Sequence, residues 1–150
     1  MSARALIMGH SMRWNLKAVK GGCADEIFIC NDLKGFDLKG PAFVLDRCKA
    51  VRNGKNFRLW SGGRASTIES IDPTSCHLHI CISAKHAEQQ VIEIGHLIAS
   101  GDKPLLYVET VEGAIAPKII IKTLNLTKVS MLTKIEEPKP EIVWPLPVAA

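Results

Sequence analysis

The stretch Cys76-His-Leu-His-Ile-Cys-Ile-Ser83 constrains the fold more than any other part of this chain. Its residues alternate with a period of two, the pattern of a β-strand with two distinct faces. Cys76, Leu78, Ile80 and Ile82 form one face, and His77, His79, Cys81 and Ser83 the other. The Ser83 hydroxyl is suited to cap a helix, and the spacing that follows predicts one over about 84–99. At 100° per residue, Ala84, Ala87, Val91, Ile94 and Ile98 make an apolar stripe, with His86, Gln89, Glu93, His96 and Ser100 opposite. Gly101 stands where a helix-ending glycine belongs, and Pro104 blocks continuation.

The remaining segments read as strands. Ala5 to Met8, Ser11 to Val19, Glu26 to Cys30, Pro104 to Val111 and Lys118 to Leu132 carry apolar runs or alternation, and the uneven alternation near Lys122 predicts a bend or bulge. Asn53-Gly54 lies between two strand-like runs, 42–52 and 55–60. It predicts a β-hairpin, because a type I′ turn needs positive φ at both central residues. Ser61-Gly-Gly-Arg64 reads as a glycine loop, followed by a Ser/Thr-rich stretch to residue 75 with a turn at Asp72-Pro73. The Asp-Leu-Lys-Gly unit that begins at Asp32 and again at Asp37 reads as two tight turns rather than a solenoid repeat. The expected fold is α+β and β-rich: a twisted barrel or two-sheet sandwich of about eight strands, with one helix packed on the sheet. Residues 1–135 form that domain. Residues 136–150 hold four prolines and read as an extended arm, neither helix nor central strand.

An apolar fraction of 47% and a charged fraction of 23% are those of a globular chain. No apolar run is long enough to span a membrane, and the N-terminus lacks the pattern of a signal peptide. The expectation is therefore a cytoplasmic protein. The five cysteines, odd in number and without a C-x-x-C spacing, then read as free thiols. The net charge of +4 is unevenly placed: residues 1–66 hold 12 Lys/Arg against 5 Asp/Glu, and residues 67–150 hold 7 against 10. Balances of +7 and −3 suggest an anionic partner, or two surfaces that attract each other between subunits.

Three groups of side chains are candidates for function. His77, His79 and Cys81 share one strand face and offer the nitrogen and sulfur donors that zinc, or another divalent metal, accepts; a packed face of hydrogen-bonded imidazoles is the commoner use of such residues. His77-Leu78-His79, a His-x-His flanked by hydrophobes, resembles the metal-binding strand of the HUH single-strand endonucleases and transposases. That resemblance covers only those three residues. It implies a nucleophilic tyrosine on a following helix, whereas Tyr107, the only tyrosine, reads as strand, so the activity is not carried over. The second group is basic: Arg47, Lys49, Arg52, Lys55, Arg58 and Arg64 lie in a stretch without acids, with Trp60 among them. Charge that tracks phosphates and a ring that stacks a base is how small barrels hold single strands. The third is the arm, where Ile142, Val143, Trp144 and Leu146 are apolar beyond the habit of a disordered tail.

No nucleotide-binding, hydrolase or calcium-loop motif is present. The sequence therefore favours a non-enzymatic, β-rich assembly or interaction protein acting as a homo-oligomer, of the kind a viral or phage structural component would be. A nucleic-acid or anionic-ligand binder using the basic hairpin of residues 47–64 is the alternative. A metal-dependent hydrolase or nuclease centred on His77 and His79 comes after it.

Overall fold

The computed structural model describes residues 5–8, 23–24, 27–30, 34–38, 43–73, 79–136 and 138–145. All thirteen elements are strands: β1 (Ala5–Met8), β2 (Cys23–Ala24), β3 (Ile27–Cys30), β4 (Lys34–Leu38), β5 (Phe43–Val51), β6 (Lys55–Leu59), β7 (Gly63–Ile71), β8 (Ile80–Ala84), β9 (Val91–Ser100), β10 (Leu106–Thr110), β11 (Lys118–Thr127), β12 (Thr133–Ile135) and β13 (Glu141–Val143). Every pairing is parallel. One sheet runs β1-β3-β5-β7-β9-β11-β13, with β2 beside β5, and the other runs β12-β10-β8-β6-β4. Parallel neighbours need a crossover between them. From β3 onward each crossover is a strand of the opposite sheet, so the chain winds as a β-solenoid.

This corrects the expected architecture. The fold is neither a barrel nor a sandwich, and the described residues contain no helix. Residues 84–99, expected to be helical, span the end of β8, a connection and most of the strand β9. Ser83, the expected cap, is a buried strand residue of β8. The expected hairpin is also absent. β5 and β6 belong to different sheets, so Asn53-Gly54 turns the chain around a corner of the solenoid. The positive φ at this corner falls on Arg52, at 53°, so the geometry is not that of a type I′ turn. Gly63 to Ile71, read as a glycine loop and a Ser/Thr-rich connection, is β7, between β5 and β9. Ser11 to Val19 lies outside the described residues.

The interior is built as ladders of stacked side chains. In the larger sheet, Cys48, Ile68, Leu97 and Leu124 share one ladder, and Leu45, Ala65, Ile94 and Ile121 another. In the smaller sheet Leu38, Leu59, Ile82, Val108 and Ile135 share a third. Phe36 stacks on Phe57 with ring centroids 4.8 Å apart and planes 2° from parallel. Gly63 follows Phe43 in its ladder. A Cβ there would lie 2.5 Å from the Phe43 ring, so the missing side chain is the room the ring occupies.

Within the larger sheet the inward phase slips by one residue. Inward positions run 92 and 94, then 97 and 99 in β9, and 119 and 121, then 124 and 126 in β11. The paired registers pass over Ser66, Gly95 and Lys122 together, so the bend expected near Lys122 recurs on successive turns. A second regularity marks the next corner. Arg52, Asp72, Gly101 and Lys128 each follow the last residue of their strand, and all four have positive φ. The amides of Arg52, Asp72 and Gly101 donate to the carbonyls of Ile71, Ser100 and Thr127 on the next turn. Each corner thus extends the ladder one residue past the strand.

Candidate functional sites

His79 sits at that corner, buried, at the head of β8. Asn53 donates from its backbone N and its Nδ2 to Asn56 Oδ1, both at 3.1 Å. Asn56 Nδ2 donates to Ser70 Oγ at 2.8 Å and to the Ile71 carbonyl at 3.1 Å. Ser70 Oγ lies 2.7 Å from His79 Nδ1, and His79 Nε2 lies 3.3 Å from the Gly101 carbonyl. A carbonyl can only accept, so Nε2 carries the proton, Nδ1 accepts, and the Ser70 hydroxyl donates to it. Burial pushes the imidazole below its ordinary pKa, outweighing the Gly101 bond and the Asp72 and Asp102 charges that raise it. The group is therefore a neutral, hydrogen-bonded core histidine. In this arrangement both ring nitrogens are engaged.

Cys81 alternates with Ile80 and Ile82 and so faces the outer side of the smaller sheet. Its Sγ lies 3.9 Å from Ser83 Oγ, and burial pushes the thiol up. The hydrogen-bonding partners of His79 and Cys81 lie on different elements, and His77 lies outside the described residues. Among the described residues no three His, Cys, Asp or Glu side chains are grouped to hold a metal ion.

The basic stretch is distributed rather than gathered. Arg47 and Lys49 stand on the larger sheet, Arg52 at the corner, Lys55, Arg58 and Trp60 on or beside β6, and Arg64 back on the larger sheet. Successive turns supply the acids that the stretch itself lacks. Lys49 Nζ lies 3.6 Å from Glu69 Oε1, and Arg58 Nη2 lies 3.6 Å from Glu109 Oε1. Arg47 meets its neighbour Asp46 at 3.8 Å. Arg64 is in register with Glu93, whose carboxyl is held down chiefly by its hydrogen bond to Lys122, with Arg64 adding to the effect.

What the winding does bring together is Arg58, Trp60, Ser83, Lys85 and Glu109. The Arg58 guanidinium lies 4.1 Å from the Trp60 ring centroid and the Lys85 ammonium 5.4 Å from it. Ser83 Oγ donates to Glu109 Oε1 at 2.5 Å and accepts from Arg58 Nε at 3.4 Å. Beside Trp60 a cleft is lined by Ser61, Ile82, His86, Gln90, Ile115 and Pro117. Ser61 Oγ and His86 Nε2 are 3.0 Å apart there. Its free interior is about 10 Å³, room for about one water, so a ligand would lie across the cleft rather than in it. Sequence reasoning missed Ser83, Lys85 and Glu109 as neighbours of Trp60. Ser83 and Lys85 lay at a supposed helix start, and nothing local signals the turn-to-turn register.

The arm docks within its own chain. β13 pairs with Lys118–Ile120 of β11, and Ile142 and Trp144 pack against the core. Val143 remains 41% exposed, and Leu146 lies outside the described residues. No described helix is long and apolar enough to cross a membrane. Compared with protein families, with curated proteins and with solved structures, the chain matches none.

Proposed function

We propose that the protein is a non-enzymatic assembly component that associates with copies of itself through the C-terminal end of its solenoid. The observation that carries this reading is how burial falls off along the interior ladders. Leu97, Ala99 and Val108 are at most 1% exposed, whereas the next members, Leu124, Leu126 and Ile135, are only partly buried. Met131 and Leu132 beside them are 49% and 46% exposed. Apolar side chains gathered at one end mark an interaction surface, and covering a half-exposed side chain of this size contributes about 1 kcal/mol. The opposite charge balances of the two halves favour a second copy as the occupant.

Sedimentation velocity over a range of concentrations tests this. The intact chain should form species larger than a monomer, and Met131→Glu with Leu132→Glu should shift the distribution towards monomer. An intact chain that stays monomeric at every concentration overturns the proposal.

A second reading rests on Trp60 with two cations at its ring: an anionic, stacking ligand such as single-stranded nucleic acid lies across that face. Trp60→Ala and Lys85→Ala would then weaken a salt-sensitive binding. Absence of binding to single strands at low salt removes this reading.

A further inference from the structure

We infer that two copies pair edge to edge about a two-fold axis through Asn125, with residues 123–127 of β11 antiparallel to the same residues of the second copy. This rests on the assembly reading above and names its contact, drawing on how well this edge matches itself. β13 covers only Lys118–Ile120 of β11. On the other side of the slip at Lys122, Thr123–Thr127 pairs with β9 alone among the described residues.

That segment is a palindrome, Thr-Leu-Asn-Leu-Thr. Turned about Asn125, it sets Thr123 opposite Thr127, Leu124 opposite Leu126 and Asn125 opposite Asn125. The leucines are partly buried and pack against the core, while the threonines and the asparagine are exposed. Apolar positions thus meet apolar ones, and polar positions meet polar ones. The main chain fits as well. The Thr127 carbonyl points back to the preceding turn, where it accepts from the Gly101 amide. Main-chain groups alternate in direction along a strand. The amides and carbonyls of Leu124 and Leu126 therefore point outward, and the two-fold pairs them with each other. Exposed edges are ordinarily blunted by charge or proline, and this segment carries neither. The chain's own residues 146–150 are a poorer partner, because Pro147 has no N–H to give a ladder. β12 follows β11 on the winding and stands further out, so the two solenoids meet at an angle and strand pairing is confined to the larger sheet. Met131 and Leu132, whose carbonyls accept from the Leu105 and Leu106 amides, lie on the same terminal turn beside the junction. The contact is isologous and closes on itself, so association stops at a dimer.

The two-fold makes residue 125 its own partner, and mixing tests that. With the full chain in sedimentation velocity, Asn125→Lys and Asn125→Asp should each weaken dimerisation roughly fivefold, because like charges then face each other. An equimolar mixture of the two variants should recover most of that loss, since the mixed dimer holds opposite charges at this pair. Circular dichroism shows whether each variant is folded. Association that ignores both variants, or that is weakened without recovery on mixing, overturns this contact while leaving the assembly reading in place. Species that keep growing beyond a dimer as concentration rises overturn the two-fold. Slow amide exchange at Leu124 and Leu126 in the monomer shows an edge covered within its own chain and overturns the contact too. An intact chain that is monomeric at every concentration removes both.

Discussion

At the scale of residues, the corner chain Asn53–Asn56–Ser70–His79–Gly101 shows how a buried polar group is kept without charge. Each donor meets an acceptor, and Ser70 works in both directions. Ser70→Ala leaves the His79 Nδ1 lone pair buried and unmatched, at a cost of about 1–3 kcal/mol, readable as a lower urea midpoint with unchanged slope. The histidine also makes stability depend on pH. Its folded pKa lies below the ordinary 6.5, so on acidification the unfolded chain takes up the proton first. This contribution is complete above about pH 6.5 and is lost as the pH falls from there towards the folded pKa. Urea unfolding at pH 7.5 and at pH 5 should show a fall that is smaller in His79→Gln; an identical fall in both proteins would mean that other groups cause it. Gly63 is a packing residue of a different sort. Gly63→Ala sets a methyl 2.5 Å from the Phe43 ring and from the Phe43 carbonyl oxygen, and should cost about 1–3 kcal/mol.

At the scale of elements, the positive-φ corner is an economy of the solenoid. A positive φ, repeated on successive turns, carries the chain out of the larger sheet, and the amides of Arg52, Asp72 and Gly101 stay paired there. Only one of these four positions is glycine. Lys128, at φ 59°, sits where a side chain costs about 1 kcal/mol. Lys128→Gly should therefore leave stability unchanged or raise it by up to about 1 kcal/mol, since the released strain opposes the added freedom of the unfolded chain. Gly101→Ala goes the other way, because φ is 124° and the new Cβ would lie 2.8 Å from Asp72 Oδ1. Thermal unfolding of the two variants should move in opposite directions or, for Lys128→Gly, not at all. A large loss in Lys128→Gly would show that its side chain matters more than its backbone. The helical spacing expected over 84–99 does not coincide with what β9 buries. Of the expected stripe, Ala84, Ala87, Val91, Ile94 and Ile98, only Ile94 is among the inward residues of β9, which are 92, 94, 97 and 99. Val91 is in fact 44% exposed.

At the scale of the whole molecule, each turn contacts its neighbours along the axis, so protection from exchange should be greatest in the middle and fall towards the ends. Hydrogen exchange followed by mass spectrometry should find β7, β8 and β9 slowest and the segment from Met131 to Val143 fast. Association through the C-terminal end would slow that segment as concentration rises. Uniform protection along the chain would contradict a stack of semi-independent turns.

By itself the sequence determined where most described strands lie. Period-two alternation marked β6, β8 and β10, and the apolar runs marked β1, β3 and β11, because the two faces of a strand meet different surroundings whatever its partner is. It also located changes of direction at Asn53-Gly54 and Asp72-Pro73, whose backbone preferences are local, although the first is a corner of the solenoid and not the expected hairpin, and Gly101 ends a strand where it was expected to end a helix. Only the tertiary structure decided that the partners are parallel, since alternation is the same in both senses of pairing. The unequal steps from Gly63 to Ile92 and from Ile92 to Ile119 hid the winding from any search for a fixed period. The same decision fixed the fate of the singled-out residues: winding sent His79 to a buried corner and Trp60 to a charged outer face. It also matched an acid-free basic stretch with acids from later turns. These are contacts between turns, and nothing in a single turn specifies which turn comes to lie beside it.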